Sequence, residues 1–349
     1  MSRKHSPIQT KPDCAPVTPY TNPVPFAGRI ISRSYEPSPG WRGILTEILP
    51  NALVFRSDER CEPLLPTLLP AFCLISPQFP DSPGTARIEW TEVGRPHAAR
   101  AELNGGSAPW LPPSLRERLH LGDLLEHAMV TGDTFWRIEG VAMIDEAHDA
   151  ARPRLVLAPP TRRDRREVER AIQGSLYRAM RSVPPENDLK HLVNVSRSFI
   201  DEGRAGDESG ALSKLSELVG YGAGRTACGD DYLVGLICGL DLSASIDIRI
   251  DPTRFHEFRA WFVGQVYRAL ERTSLLGRHV LLASFHGLYS TPLLDEADAL
   301  SDGIIIGPGE PEWSLIRRPT VSPGWPALFG LLTGAYVVCS STELDRPTE

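Results

Sequence analysis

The pattern of apolar residues changes at Pro159-Pro160, and this change most limits what the chain can fold into. Before it, apolar segments are short, often β-branched and bounded by Gly, Pro or Asp, which is typical of strands joined by turns. After it, apolar residues recur at intervals of three and four, as they do in amphipathic helices. The sequence therefore predicts an α+β protein in which a β-rich N-terminal domain is followed by a mainly α-helical C-terminal domain.

The expected domains follow from this change and from the composition of the N-terminus. Residues 1–27 are rich in Pro, Thr and Ser and lack periodicity, so we predict a mobile leader there. The β-rich domain is expected at 28–158 and the α-helical domain at 159–349. Strands are predicted at 43–48, 52–56, 72–76, 86–90 and 135–144, with a short helix at 113–121. Helices are predicted at 161–180, 189–200, 211–218, 230–240, 253–271, 278–286, 292–300 and 325–338.

Composition excludes several classes of protein. The chain has 349 residues, with 44 acidic and 37 basic side chains and a formal net charge of −7, which argues against a dedicated nucleic-acid binder. It lacks an uninterrupted apolar run of about 18 residues, so no membrane span is expected, and its polar start predicts no signal peptide. The six cysteines form no Cys-x-x-Cys pair. We therefore expect reduced thiols and a cytoplasmic protein.

One segment, LVGYGAGRTACGDDYLVGLICGL at 218–240, stands apart from the rest of the chain. It places Gly220, Gly222, Gly224 and Gly229 in one loop before an apolar helix. Because glycine lacks Cβ and tolerates positive φ, successive backbone N–H groups of such a loop can point inward around an anion. The helix start adds its own N–H groups and the positive end of its dipole. This pattern predicts a Gly-rich anion-binding loop for a phosphate, carboxylate or carbamoyl group.

Two adjacent carboxylates, Asp230 and Asp231, follow the loop directly. A helix cap explains one of them, but two negative charges beside an anion site would oppose binding of the ligand. A magnesium ion held by these carboxylates and by substrate oxygens would resolve the conflict. Alternatively, one Asp accepts hydrogen bonds from an amide or amine of the substrate. Both are candidate catalytic or metal-binding residues, with capping and internal hydrogen bonding as the competing interpretation.

Three other residues of the segment are candidates for contacts with the ligand. The Thr226 hydroxyl is suited to phosphate or carboxylate oxygens. Arg225 offers a planar fork for an anion, or else lies in solvent. Cys228 precedes a helix, where a thiol can become reactive, although hydrogen bonding is the competing role. Further along, His279 and His286 lie seven residues apart and could approach the loop, or could be core and cap residues.

The segment resembles the signature of the AllH-like family, Gly-x-Gly-x-Gly-Leu-Thr-Pro-Ser-Gly-Asp-Asp-Phe-Leu-x-Gly. The residues that match it are Gly220, Gly222, Gly224, Thr226, Gly229, Asp230, Asp231, Leu233 and Gly235. The residues that differ from it are Arg225, Ala227, Cys228 and Tyr232. Two weaker stretches, 271–287 and 324–330, extend the resemblance over residues 160–340. In them, Gly277 stands where the family has Ser, and Pro326 stands where it has Asp.

The AllH-like family is associated with the oxamate carbamoyltransferase of allantoin breakdown, as one of several subunits. That reaction exchanges a carbamoyl group between oxalurate and phosphate. The resemblance therefore implies a small anionic substrate bearing carbamoyl or phosphate groups, and protein partner subunits. Two alternatives stay open: a non-catalytic ligand-binding subunit, which the Gly277 and Pro326 departures favour, and a divergent ATP-using ligase, which the lack of a nucleotide fingerprint disfavours.

Two glycine-rich stretches, 229–240 and 324–335, also resemble each other, with Gly at the same three positions. Small residues four apart let helices approach closely, so Gly235, Gly239, Gly330 and Gly334 are candidate packing glycines. The competing interpretation is a pseudo-symmetric pair of helix starts that face one cleft.

Overall fold

The computed structural model describes the greater part of the chain. The described residues are 26–34, 41–49, 52–58, 71–77, 81–92, 111, 113–130, 133–138, 141–145, 156–158, 165–181, 187–205, 214–222, 226–246, 252–306 and 324–341. The predicted leader lies outside them except for Phe26 and Ala27, which begin the first strand rather than belonging to a leader.

Eight described strands precede residue 146. They are β1 (Phe26–Arg33), β2 (Arg42–Ile48), β3 (Ala52–Ser57), β4 (Ala71–Ile75), β5 (Thr85–Glu92), β6 (Leu124–Val130), β7 (Asp133–Ile138) and β8 (Val141–Asp145). The sequence analysis did not predict β1 and β6. The segment predicted as one strand at 135–144 is an antiparallel hairpin, in which Ile138 of β7 pairs with Val141 of β8.

The strands form one closed sheet in the order β1-β5-β4-β3-β2-β6-β7-β8. The parallel pairing of β8 with β1 completes the closure, and β4 and β5 are also parallel. A closed sheet of eight strands has an interior that side chains can fill. Here aliphatic side chains and aromatic rings pack together in one buried cluster, in which Phe72 and Trp136 stack with centroids 4.9 Å apart and Trp41 meets Phe72 edge-on at 5.5 Å. The sheet half thus has a core of its own.

Most helices follow residue 164. They are α1 (Pro113–Arg116), α2 (Arg165–Arg181), α3 (Asn187–Ala205), α4 (Cys228–Ile246), α5 (Pro252–Ala269), α6 (Leu275–Phe285), α7 (Thr291–Ser301) and α8 (Trp325–Ser341), with a 3-10 turn at Leu270–Arg272. Of the helix predicted at 211–218, the described part contains one helical turn at 214–216. The mixed α/β class, with strands before helices, is confirmed. None of the described helices is both long and apolar enough to cross a bilayer.

Helices α4 and α8 form the centre of the helical half and run parallel to each other. All residues of α4 from 232 to 240 are buried. A Cβ atom on Gly235 would overlap the carbonyl oxygen of Ala327, and one on Gly330 would overlap that of Tyr232. These contacts are pseudo-symmetric, because each glycine meets the carbonyl three residues before its counterpart. The glycines of both helices are therefore packing glycines, and the two helices start at the same end of the pair.

The sheet half and the helical half meet at α6. Leu276 is buried against β4, in a cluster with Cys73 and Ile75. Nε2 of His279 lies 2.7 Å from the carbonyl oxygen of Pro83, so this nitrogen carries the proton and donates. The residues just before α6 therefore have a fixed position relative to the sheet.

Candidate functional site

Asp230 lies in the first turn of α4 and is fully buried, with 0% of its surface exposed. One carboxylate oxygen accepts the backbone N–H of Gly220 at 2.8 Å. The other oxygen accepts a hydrogen bond from the hydroxyl of Thr273, which lies between the 3-10 turn and Ser274, the N-cap of α6. The backbone N–H of Ala227 is a third donor. Asp230 thus joins the loop, the start of α4 and the 3-10 turn before α6, and internal hydrogen bonding is the role that the structure gives it.

The pKa of Asp230 reflects two opposing influences. Burial raises the pKa above its ordinary value, because the charged form loses its hydration. The hydrogen bonds from Thr273, Gly220 and Ala227 lower it, because they stabilise the carboxylate. Burial is the larger influence, so the net shift is upward.

Three glycines around Asp230 are required by close packing, two of them against backbone carbonyl groups and one against side chains. Gly220 has φ +75° and lies against the carbonyl group of Arg272, where a side chain would overlap it. A Cβ on Gly229 would overlap the carbonyl oxygen of Leu218, and one on Gly277 would overlap both the Thr273 hydroxyl and the Asp230 carboxylate. Part of the glycine signature is therefore explained by tight packing.

Two amides expected to face the ligand are engaged with protein acceptors. The N–H of Gly220 donates to Asp230, and the N–H of Gly229 donates to the carbonyl of Tyr221 at 2.9 Å. Neither amide is offered to a ligand in this structure. Gly222, with φ +96°, is the remaining described glycine of the loop. Gly224 and Arg225 lie outside the described residues.

Asp231, the next residue, has a different environment. It is half-buried, and its carboxylate accepts the Thr226 hydroxyl at 3.2 Å. Burial raises the pKa of Asp231 well above its ordinary value, the Thr226 hydroxyl opposes the shift, and the charge of Asp230 adds to it. Because Asp230 has three hydrogen-bond donors and Asp231 has one side-chain donor, Asp230 loses its proton first.

A protonated Asp231 resolves the charge conflict seen in the sequence. A neutral carboxyl group donates a hydrogen bond, so it can face an anion without repelling it. The deprotonated form instead accepts hydrogen bonds, as an amide of a substrate would require. Asp231 and Thr226 therefore form a small polar pair at the start of α4, in which the neutral carboxyl can donate a hydrogen bond and the ionised carboxyl can accept one.

The predicted magnesium ion can be tested against the same contacts. Both oxygens of Asp230 already accept hydrogen bonds, so a cation there would be held by Asp231 together with oxygens of the ligand. Among the described residues, no three His, Cys, Asp or Glu side chains form a metal-binding group. The residues fit a weak, ligand-assisted magnesium site rather than a two-carboxylate one.

Other candidates lie in several places. Cys228 is the first residue of α4, is half-buried and forms no disulfide. His279 is buried against Pro83 at the sheet, and His286 is exposed at the end of α6, so the two do not approach the loop as a pair. At the start of α8, Trp325 and Pro326 occupy the places that Asp230 and Asp231 occupy in α4. Only one of the paired helix starts carries carboxylates.

Sequence reasoning missed two residues of the site, Thr273 and Gly277. Thr273 belongs to the second, weaker stretch of the family resemblance, but nothing in the local pattern links it to Asp230, 43 residues earlier. Gly277 was interpreted as a loss relative to the family. The structure instead shows that a side chain there would overlap the Asp230–Thr273 hydrogen bond.

Comparison with protein-family models, with curated proteins and with solved structures finds no match to this chain. The resemblance to the AllH-like family therefore stays a prediction that depends on the motif residues quoted above.

Proposed function

We propose that the chain is a carbamoyltransferase-type enzyme, or a subunit of one, that acts on a small anion bearing a carbamoyl or phosphate group. The observation that carries the proposal is Asp231: a half-buried carboxyl with a raised pKa, beside the Thr226 hydroxyl and the start of α4. Perturbed carboxyl groups of this kind are typical of functional sites. The family resemblance supplies the substrate class.

Each group has a role in the proposed reaction. Thr226 and the backbone of Gly222 and Gly224 hold carboxylate or phosphate oxygens, and Arg225 adds positive charge. Carbamoyl transfer from oxalurate to phosphate breaks a C–N bond and forms a C–O bond, and the departing oxamate nitrogen takes up a proton. A carboxyl with a raised pKa is suited to supply that proton, and fixed donors stabilise the developing oxyanion.

Further parts of the proposal concern partners, location and a metal ion. The resemblance supports partner subunits, and the cysteine pattern supports a cytoplasmic location. Magnesium is the alternative to a protonated Asp231: an ionised Asp231 and ligand oxygens would hold the ion, which would neutralise phosphate charge. Cys228 at the start of α4 is proposed to contribute hydrogen bonding.

A second candidate is a non-catalytic ligand-binding subunit. The observation that favours it is the start of α8, where Trp325 and Pro326 replace carboxylates and remove a second acidic contribution. Gly277 no longer supports it, because glycine there makes room for Asp230 and Thr273. No described feature favours the third interpretation, an ATP-using ligase.

The decisive experiment combines binding and turnover. Titration calorimetry of the full chain with carbamoyl phosphate, oxamate and phosphate, with and without magnesium, measures binding. Carbamoyl phosphate formation from oxalurate and phosphate is then assayed alone and with the products of neighbouring genes. We expect Asp231→Asn to reduce turnover by about 100-fold or more, a usual loss for a proton-transfer group.

Glu257→Gln is the matched control, because it removes an exposed carboxylate from α5. It should leave binding and turnover unchanged. Full turnover by a folded Asp231→Asn variant contradicts the proposed role. Binding without turnover in the reconstituted complex supports the non-catalytic candidate instead.

A further inference from the structure

We infer that the outer face of α5 is a self-association surface, through which two copies of this chain pair their α5 helices in antiparallel orientation about a two-fold axis. This surface, the α5 stripe, consists of Glu257, Trp261, Gly264 and Arg268. It contains no residue of the site at the start of α4, and the inference does not depend on the proposed function.

The first argument is the exposure of the α5 stripe. Phe262 and Val266 have no exposed surface and belong to the helical core, so they define the inner face of the helix. On the outer face, Glu257, Trp261 and Arg268 are exposed, and Trp261 leaves 40% of its surface uncovered. Tryptophan and arginine are the residue types that protein interfaces favour over the remaining surface.

The second argument is the spacing of the stripe. Its residues follow one another at intervals of four, three and four, which is the spacing of the contact positions in a coiled coil. Glu257 and Gly264 occupy one type of contact position, and Trp261 and Arg268 occupy the other. Because α5 has 18 residues, it is about 27 Å long, so a second helix can meet all four positions.

The third argument is that the stripe is complementary to itself. Its midpoint lies between residues 262 and 263, with Trp261 and Gly264 equally far on either side and Glu257 and Arg268 equally far further out. In a two-fold antiparallel pair, a residue faces the one that lies equally far beyond the midpoint in the other copy. Trp261 therefore faces Gly264 of the second copy, and Glu257 faces Arg268 of the second copy.

Gly264 supplies the space that this arrangement needs. A Cβ atom built on Gly264 has nothing within 4 Å of it, so the position is open at the surface of the helix. The Trp261 ring of the second copy can lie against the backbone there, because no side chain stands in its way. The two-fold axis produces this contact twice and so gives the interface an apolar centre.

Charge selects both the antiparallel orientation and the partner. Within the described part of the chain, Glu257 and Arg268 make no hydrogen bond or ion pair, so both charges can meet a partner. In the antiparallel pair, a carboxylate meets a guanidinium at each end of the apolar centre. A parallel pair would place each residue against its own copy, and like charges in contact oppose association. The match of the stripe to its own reverse singles out a second copy of this chain.

The size of the stripe predicts a weak dimer. Four layers of one helix pair bury less than the roughly 1,200 Å² at the lower limit of stable, specific interfaces. The two ion pairs lie at the ends of the interface, where water and salt screen them. We therefore expect a dissociation constant on the order of 10 µM.

Sedimentation equilibrium of the full chain tests the inference, from about 1 µM to about 200 µM, a range that brackets this constant. The wild type should change from monomer to dimer across the range. Glu257→Arg and Arg268→Glu each bring like charges together at both ends and should weaken association about 10-fold or more. Trp261→Ala removes the central contact and should weaken association by a similar factor.

The decisive measurement mixes the two charge-reversal variants in equal amounts. The Glu257→Arg chain carries two basic groups in the stripe, and the Arg268→Glu chain carries two acidic groups. In a mixed antiparallel dimer, every ionic layer again joins opposite charges. The mixture should associate about as strongly as the wild type, although neither variant does so alone. The double variant with both changes should likewise regain association.

Three further variants serve as controls. Glu117→Arg makes the same change of charge on an exposed residue of the sheet half and should leave association unchanged. Glu257→Gln removes a charge without reversing it and should weaken association only about threefold. Gly264→Ala should also weaken association, because its methyl group occupies the open space, although alanine favours the helix of the monomer.

Three results would overturn the inference. One is a wild-type chain that stays monomeric at the highest concentration. Another is association of Trp261→Ala and both charge-reversal variants as strong as that of the wild type, because the contact would then lie elsewhere. The third is a mixture of the folded charge-reversal variants that associates no better than either alone, because the antiparallel register would then be wrong. The proposed function is measured by ligand binding and turnover and stands or falls separately.

Discussion

Gly235 of α4 lies directly against the carbonyl oxygen of Ala327 in α8, so closely that a methyl group at position 235 would overlap it. The pseudo-symmetric contact places Gly330 against the carbonyl oxygen of Tyr232. Such an approach brings two backbones into van der Waals contact along the centre of the helical half, and the start of α4 is held by the same packing.

We expect Gly235→Ala to destabilise the protein by about 3 kcal/mol, because the added methyl group forces two buried helices apart. Gly264→Ala is the matched control. Gly264 lies within α5, and nothing is within 4 Å of a Cβ built there. The Gly264→Ala variant should have a free energy of unfolding about 0.5–1 kcal/mol higher than the wild type, because alanine has a better helix propensity than glycine. Guanidinium unfolding measures both, and equal effects would contradict the close packing of α4 and α8.

Asp231 should make the fold less stable as the pH rises. Because the pKa of Asp231 is raised in the folded state, the unfolded chain releases this proton at lower pH than the folded chain does. The free energy of unfolding therefore falls as the pH rises from the ordinary carboxyl pKa of 3.8 to the pKa of the folded state. Asp231→Asn should therefore increase stability at neutral pH, by on the order of 1 kcal/mol. The gain should shrink as the pH falls to the ordinary value of 3.8 and below it, where Asp231 is protonated in both the folded and the unfolded chain. A variant less stable than the wild type at neutral pH would refute this assignment.

His279 should produce the opposite pH dependence in a different range. Burial lowers the pKa of His279 in the folded state, while the Pro83 carbonyl opposes the shift. Below the ordinary value of 6.5, the unfolded chain takes up a proton that the folded chain resists, so stability falls as the pH falls. His279→Gln keeps a donor for Pro83 and should reduce this acid sensitivity.

The control for that measurement is His286→Gln, at the exposed end of the same helix. Thermal unfolding of both variants, at about pH 7 and about pH 5, spans the range in which an ordinary histidine titrates. The same loss of acid sensitivity in both variants would show that His279 is not its source.

Arg259 should be irreplaceable by lysine. Its guanidinium donates to both oxygens of Asp241, at 2.5 and 2.9 Å, and to the carbonyl groups of Ser284 and Phe285 at the end of α6. Tyr289 also donates to Asp241. Lysine keeps the charge but cannot make the planar, bidentate contact.

We expect Arg259→Lys to destabilise the protein by about 2 kcal/mol and Tyr289→Phe by about 1 kcal/mol, in denaturant unfolding. Arg268→Lys, on the exposed face of the same helix, should change stability by no more than about 0.5 kcal/mol. A loss in Arg259→Lys as small as in this control would show that the network contributes little.

Local sequence patterns predicted the elements well where a short apolar segment or a helical period marks the buried residues. The predicted bounds of α2, β2, β3 and β4 lie close to the bounds that the structure shows. The hairpin of β7 and β8 was missed, because Glu139-Gly140, which separates the two strands in the sequence, was not taken as a turn signal. The closure of the sheet depends on β1 pairing with β8 about a hundred residues later along the chain, which no local pattern encodes.

The sequence by itself determined the α+β order, the packing glycines of α4 and α8, and the paired acids at a helix start, because these follow from periodicity, side-chain size and spacing. Only the tertiary structure decided that Asp230 and Asp231 differ. The difference comes from Thr273, Gly277 and the sheet behind α6, which are distant in the chain. Burial and hydrogen bonding, unlike helix periodicity, depend on which distant segments meet, and so the chemistry of two neighbouring carboxyl groups could not be separated from the sequence.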